Sequence, residues 1–120
     1  MYRLMIVDDS NIIRRKIERL ANSERYQVVG LAANGVEAEA MLLDCQPDIV
    51  TMDLTMPEMD GVECITQLIQ KKPEINILVV SALSDRETGI DALQQGARGF
   101  LCKPFSDAQL AEALTEMMED

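Results

Sequence analysis

The chain has no histidine and no tryptophan, and only two tyrosines and two phenylalanines in 120 residues. Without imidazole there is no Ser-His-Asp or Cys-His nucleophile system, no histidine general base, and none of the usual protein zinc sites. Chemistry therefore falls to carboxylates, hydroxyls and ammonium groups. Basic residues are scarce: 11 Lys plus Arg stand against 21 Asp plus Glu, a formal charge of −10. The densest basic group, Arg14-Arg15-Lys16, reads as a solvated helix face, and Lys71-Lys72 is the next. This balance argues against nucleic acid as a direct partner, because phosphate contacts need clustered cations. The cysteines Cys45, Cys64 and Cys102 are far apart, include no C-x-x-C pair, and suit reduced, mostly buried thiols. No apolar run approaches the roughly 18–20 residues that span a bilayer. The opening MYRLMIVDDS runs from a short apolar stretch straight into acid, unlike a signal peptide. A soluble, cytoplasmic protein without membrane association is expected.

Hydrophobic residues make up 48% of the chain, enough for one packed core, and the length suits a single domain over residues 1–120 with no output domain. Short apolar runs recur at Leu4-Met5-Ile6-Val7, Val28-Val29-Gly30-Leu31, Ile49-Val50, Ile77-Leu78-Val79-Val80 and Phe100-Leu101-Cys102. The first and fourth show no polar alternation, as in parallel strands covered on both faces. The second, interrupted by Gly30, reads as the least buried strand and an edge. Amphipathic stripes lie between and after the runs: Ile13, Ile17, Leu20; then Ala38, Met41, Leu42, Cys45; Val62, Ile65, Ile69; Ile90, Leu93, Ala97; and Leu110, Leu114, Met117. Asn34-Gly35 opens a helix, Pro47 and Pro73 lead into strands, and Gly96 closes a helix. Strict alternation of five strands and five helices predicts an α/β fold: a doubly wound parallel sheet in the flavodoxin-like order 2-1-3-4-5.

Ligands of such sheets bind beyond the carboxyl ends of the strands, where the winding reverses. Asp8-Asp9, Asp53, Ser81 and Lys103-Pro104 fall at those ends. A single acid there is ordinarily a helix cap, and Asp9 or Ser10 is suited to that role. Five polar groups at the ends of four strands on one edge exceed what capping explains. Converging carboxylates about 5 Å apart repel by roughly 3 kcal/mol per pair at an effective dielectric of ~20, so the cluster calls for a cation or a proton. Oxygen-only ligands point to Mg²⁺.

The motifs DD, MDLTMPEMDG, VVSA and KPF occur in order along the whole chain. In them the sequence resembles the receiver domain of two-component response regulators. It looks most like stand-alone chemotaxis regulators of the CheY type, and somewhat like the receiver of the chemotaxis methylesterase. The resemblance implies a phosphorylation-dependent switch rather than an enzyme, assisting only its own phosphorylation and dephosphorylation. Asp53 would accept a phosphoryl group from a histidine kinase, which fits a chain that has no histidine of its own. Asp9 and Asp53 would bind Mg²⁺ directly, Thr55 through its backbone carbonyl, and Asp8 mainly through water. Lys103 would pair with the phosphoryl oxygens, and Ser81 would hydrogen-bond one of them. Drawing the Ser81 hydroxyl inward would vacate space for Phe100. The altered face of the fourth helix, fifth strand and fifth helix would then meet a downstream protein such as the flagellar motor switch, with a phosphatase as a further partner. The alternative is a stand-alone or excised receiver with a non-chemotaxis output or a phosphate-sink role. A cis Lys103-Pro104 bond is also implied.

Two other classes fit less well. A haloacid-dehalogenase-type hydrolase needs a second acid at position 55, which is Thr55. A flavin or nucleotide carrier needs a phosphate loop where Asp8-Asp9-Ser10-Asn11 would repel one. Leu83, two residues beyond Ser81, is apolar where many relatives are polar. If it shields the acyl phosphate from water, Leu83→Gln should shorten the phosphoryl lifetime severalfold, read from the decay of phosphorylated protein after the donor is removed; an unchanged lifetime would refute the shield.

Overall fold

Leu4-Met5-Ile6-Val7 and Ile77-Leu78-Val79-Val80 are each no more than 1% exposed, so both demand cover on two faces. The computed structural model describes residues 1–54, 61–82 and 86–118 and supplies that cover. Strands and helices alternate as β1 (Tyr2–Val7), α1 (Asn11–Ala21), β2 (Tyr26–Ala32), α2 (Gly35–Cys45), β3 (Ile49–Met52), α3 (Gly61–Lys71), β4 (Asn76–Ala82), α4 (Arg86–Gln94), β5 (Gly99–Lys103) and α5 (Asp107–Met118). All sheet pairings are parallel, in the order β2-β1-β3-β4-β5 expected from the sequence. Side chains alternate across the sheet. Met5, Val7, Val50, Met52, Ile77 and Val79 pack with α2, α3 and α4, while Leu4, Ile6, Ile49, Leu78 and Val80 pack with α1 and α5. Among the described residues no helix is long and apolar enough to cross a membrane.

Local signals explain most boundaries. Ser10 caps α1 by accepting from the Ile13 N–H at 3.3 Å, and Asn34 caps α2 by accepting from the Glu37 N–H at 2.9 Å. Gly96 follows α4 with φ +120°, a conformation that disfavours other residues. The far end of α2 is closed from outside the helix: the Arg3 guanidinium donates to the carbonyls of Cys45 and Gln46. A cation there meets the unpaired carbonyls and the negative end of the helix dipole. As expected, β2 is an edge strand, and the pairing with β1 skips Val29 at a bulge.

Two expectations need correction. The apolar stripe of α4 does not face inward at Ile90 and Leu93, which are 50% and 42% exposed; the buried positions are Gly89 and Ala92. Periodicity favoured the larger side chains, but the space beside β5 admits only small ones. The cysteines are free, yet Cys64 alone is fully buried, and Cys45 and Cys102 are half-buried. Burial, reinforced by Glu39 and Glu63, pushes the Cys64 thiol up to about 12, which keeps it protonated and inert.

One buried group is poorly served. The Thr51 side chain is 1% exposed in the middle of β3, and its hydroxyl has no hydrogen-bond partner among the described residues. Valine has the same shape without the polar atom. Thr51→Val should therefore raise stability by about 1 kcal/mol, measured as a higher urea midpoint at unchanged slope.

Candidate functional site

β1 and β3 are neighbours at the centre of the sheet, with Val7 opposite Met52. The next residue of each, Asp8 and Asp53, consequently emerges side by side. The ladder continues through both: the Asp8 N–H donates to the Ala32 carbonyl at 3.0 Å, and the Asp53 N–H to the Val7 carbonyl at 2.9 Å. Each carboxylate is thus carried on backbone fixed by its neighbouring strand, and each residue is only 1% exposed. Asp9 follows Asp8 into the loop and is exposed. One carboxylate oxygen from each of Asp8, Asp9 and Asp53 lies within 4.8 Å of the others.

Lys103 reaches the same spot from the end of β5, at the far edge of the sheet. Its ammonium lies 3.0 Å from Asp8 Oδ2 and 3.7 Å from Asp53 Oδ2, and the Lys103-Pro104 peptide is cis, as the resemblance implied. Ser81 is completely buried near the end of β4, opposite Cys102 in the ladder. Phe100 stands opposite Val79 and is half-buried against the side of the sheet that carries α2, α3 and α4. Thr55 and Leu83 lie outside the described residues.

Ser10, not Asp9, caps the first helix, which leaves the Asp9 carboxylate available to the cluster. Three hard oxygen donors, two of them buried and mutually repelling, suit a small divalent cation such as Mg²⁺. Burial and, less strongly, the Asp53 charge raise the Asp8 carboxyl above its ordinary 3.8, while the Ser10 N–H at 2.9 Å and the Lys103 ammonium pull it back.

Two members of the Arg14-Arg15-Lys16 group are not a solvated face, contrary to expectation. The Arg14 guanidinium donates to the Asp8 carbonyl and to Asn11 Oδ1. The Lys16 ammonium donates to the Phe105 carbonyl at 2.7 Å and lies 4.6 Å from the centre of the Phe105 ring. Arg15 remains exposed. Both bonded cations tie α1 to segments carrying the site, one to the loop after β1 and the other to the turn after Lys103. Charge patterning alone could not find them, because their partners are backbone carbonyls with no residue signature.

The sheet and its rim define a flavodoxin-like α/β domain with a cluster of three carboxylates at the central strand ends. The family model described as the response regulator receiver domain matches residues 4–115. The chain belongs to that family, the phosphorylation switches of two-component signalling. It is 40% identical over 114 residues to the chemotaxis protein CheY of Listeria monocytogenes, covering 95% of this chain and 96% of that protein. It is 38% identical over 115 residues to CheY of Thermotoga maritima, with 96% of each covered. Among solved structures, a CheX-CheY-BeF3-Mg complex from Borrelia burgdorferi superposes with a TM-score of 0.92 at 29% identity, covering 99% of this chain and 90% of that one.

A carboxyl group whose pKa is higher folded than unfolded stabilises the fold when protonated. That contribution is complete below 3.8 and is lost as pH rises through the raised folded value. The ionised Asp8 is thus a liability to the metal-free protein at neutral pH. Asp8→Asn should raise metal-free stability at pH 7 by about 1 kcal/mol, with the gain shrinking toward acid pH and on adding Mg²⁺, as thermal melts would record.

Proposed function

We propose that Asp53 is the phosphoacceptor of this receiver, loaded by a histidine kinase, with Mg²⁺ held by Asp8, Asp9, Asp53 and the Thr55 carbonyl. The observation that carries this reading is the meeting of three carboxylates within 4.8 Å of one another, with Lys103 beside two of them. The solved Borrelia relative, whose complex includes Mg and BeF3, supports the choice of metal.

An oxygen of the Asp53 carboxylate attacks the phosphorus of a phosphohistidine in line. The new P–O bond forms as the P–N bond breaks, and the leaving imidazole takes a proton from solvent. When bound, Mg²⁺ supplies positive charge to the phosphoryl oxygens and offsets the repulsion among the acids. Lys103 contributes a second positive charge, already 3.7 Å from the Asp53 carboxylate. The Ser81 hydroxyl donates to a phosphoryl oxygen. The task of these residues is positioning and charge neutralisation, the usual source of phosphoryl-transfer catalysis. The added group brings about −1.5 to −2 charges to the rim, and Ser81 and Phe100 convert this into a changed α4–β5–α5 face.

The output we assign is chemotaxis control through a downstream protein on that face, such as the flagellar motor switch, with a phosphatase resetting the signal. Support comes from CheY relatives that match end to end, each aligning over 95% or more of both chains. Acetyl phosphate with Mg²⁺ should add one phosphoryl group to the wild type by intact mass and none to Asp53→Asn, and chelation by EDTA should abolish the gain. Equal modification of Asp53→Asn would overturn the assignment.

A further inference from the structure

Gly89 sits in the interior of α4, where glycine weakens a helix relative to alanine. Its backbone is helical and has no positive φ, so no unusual conformation calls for glycine there. The reason is space. A methyl group at position 89 would stand 2.3 Å from Cε2, 2.9 Å from Cδ2 and 3.1 Å from Cζ of Phe100. The edge of the ring therefore rests directly against the helix backbone. One turn on, the fully buried Ala92 keeps the same inner face of α4 small, while Ile90 and Leu93 point outward.

We propose that Gly89 is a positioning residue of the switch: its missing side chain forms a notch in α4 that holds the Phe100 ring where it now lies and opposes its movement toward Ser81. The proposal rests on the reading that Asp53 phosphorylation draws Ser81 inward and frees room for the ring. The sheet supplies the geometry for that competition. With Val79 opposite Phe100 and Ser81 opposite Cys102, the ring and the hydroxyl share one face of the β4–β5 pair, two residues apart along the strands. Ser81 is completely buried, so the ring gains its second position only after the hydroxyl moves. A ring seated in the notch is a ring that phosphorylation must dislodge. Filling the notch removes the seat, favours the second position, and lowers the free energy needed to load the phosphoryl group.

The test uses Gly89→Ala in the full chain. Because the protein has only two phenylalanines, the Phe100 ring is readily assigned by aromatic NMR. In unphosphorylated Gly89→Ala, the ring signals should move toward their positions in the phosphorylated wild type. The fraction phosphorylated at limiting acetyl phosphate should rise, with an apparent affinity gain of about fivefold. In a Phe100→Ala background, where no ring competes for the notch, Gly89→Ala should leave phosphorylation unchanged and should raise the melting temperature through helix propensity. Ring signals that stay at the wild-type position, or a phosphorylation gain that persists without the ring, would overturn the proposal. If Gly89→Ala alone does not fold, the double variant must fold and melt above Phe100→Ala; failure of that variant too would place the defect elsewhere and sink the notch. Failure of the underlying reading would look different: wild-type protein would gain no phosphoryl mass, or would gain it without any movement of its Phe100 ring signals.

Discussion

At an effective dielectric of about 20, two carboxylates 4.8 Å apart repel by roughly 3 kcal/mol before solvent screening, and Asp8, Asp9 and Asp53 make three such pairs. The exposed Asp9 is screened most, while the buried Asp8 and Asp53 cannot turn to water for relief. Lys103 answers both from the far edge of the sheet, but one ammonium cannot neutralise three acids. Among the described residues, the acids at this rim outnumber the ammonium shown to meet them. A divalent cation can fill that deficit, and a phosphoryl group can then be accepted next to acids that would otherwise repel it.

Much of the surrounding structure holds this strained arrangement in place. Strand pairing carried one residue past β1 and β3 fixes the backbone of Asp8 and Asp53. Arg14 grips the Asp8 carbonyl, and Lys16 grips the Phe105 carbonyl just beyond Lys103. The two apolar layers cover the strands that meet at the rim, so the charged groups sit on a rigid base. Close packing makes such a base respond by switching between discrete arrangements rather than by bending. In the switch we propose, the pair β4–β5 would link Ser81 at the rim to Phe100 and the small inner face of α4.

The sheet order and the acidic rim were both legible in the residues. Unbroken apolar runs such as Leu4 to Val7 announce doubly covered strands, and Asp8, Asp53 and Lys103 stand directly at strand ends, so placing the strands placed the acids. Ser10, Asn34 and Gly96 marked helix boundaries through side-chain and backbone chemistry that acts over a few residues. Local signals of this kind survive in any sequence reading. The inward face of α4 did not. Hydrophobic periodicity ranks Ile90 and Leu93 above Gly89 and Ala92, yet the order is reversed by a ring arriving from β5. Arg14 and Lys16 escape charge patterning for a related reason: their partners are carbonyls brought near by folding.

By itself, then, the sequence determined which chemistry is possible here. It holds acids, a hydroxyl and an ammonium but no imidazole, spaced so that a parallel sheet delivers them to one edge. Only the tertiary structure decided how those groups are shared: that Lys103 leans closer to Asp8 than to Asp53, that the carboxylates close to within 4.8 Å, and that a glycine makes room for an aromatic ring. The division has a physical origin. Residue type and strand period are properties of neighbours in the chain, whereas distances among side chains from different elements follow from how the packed layers settle against one another.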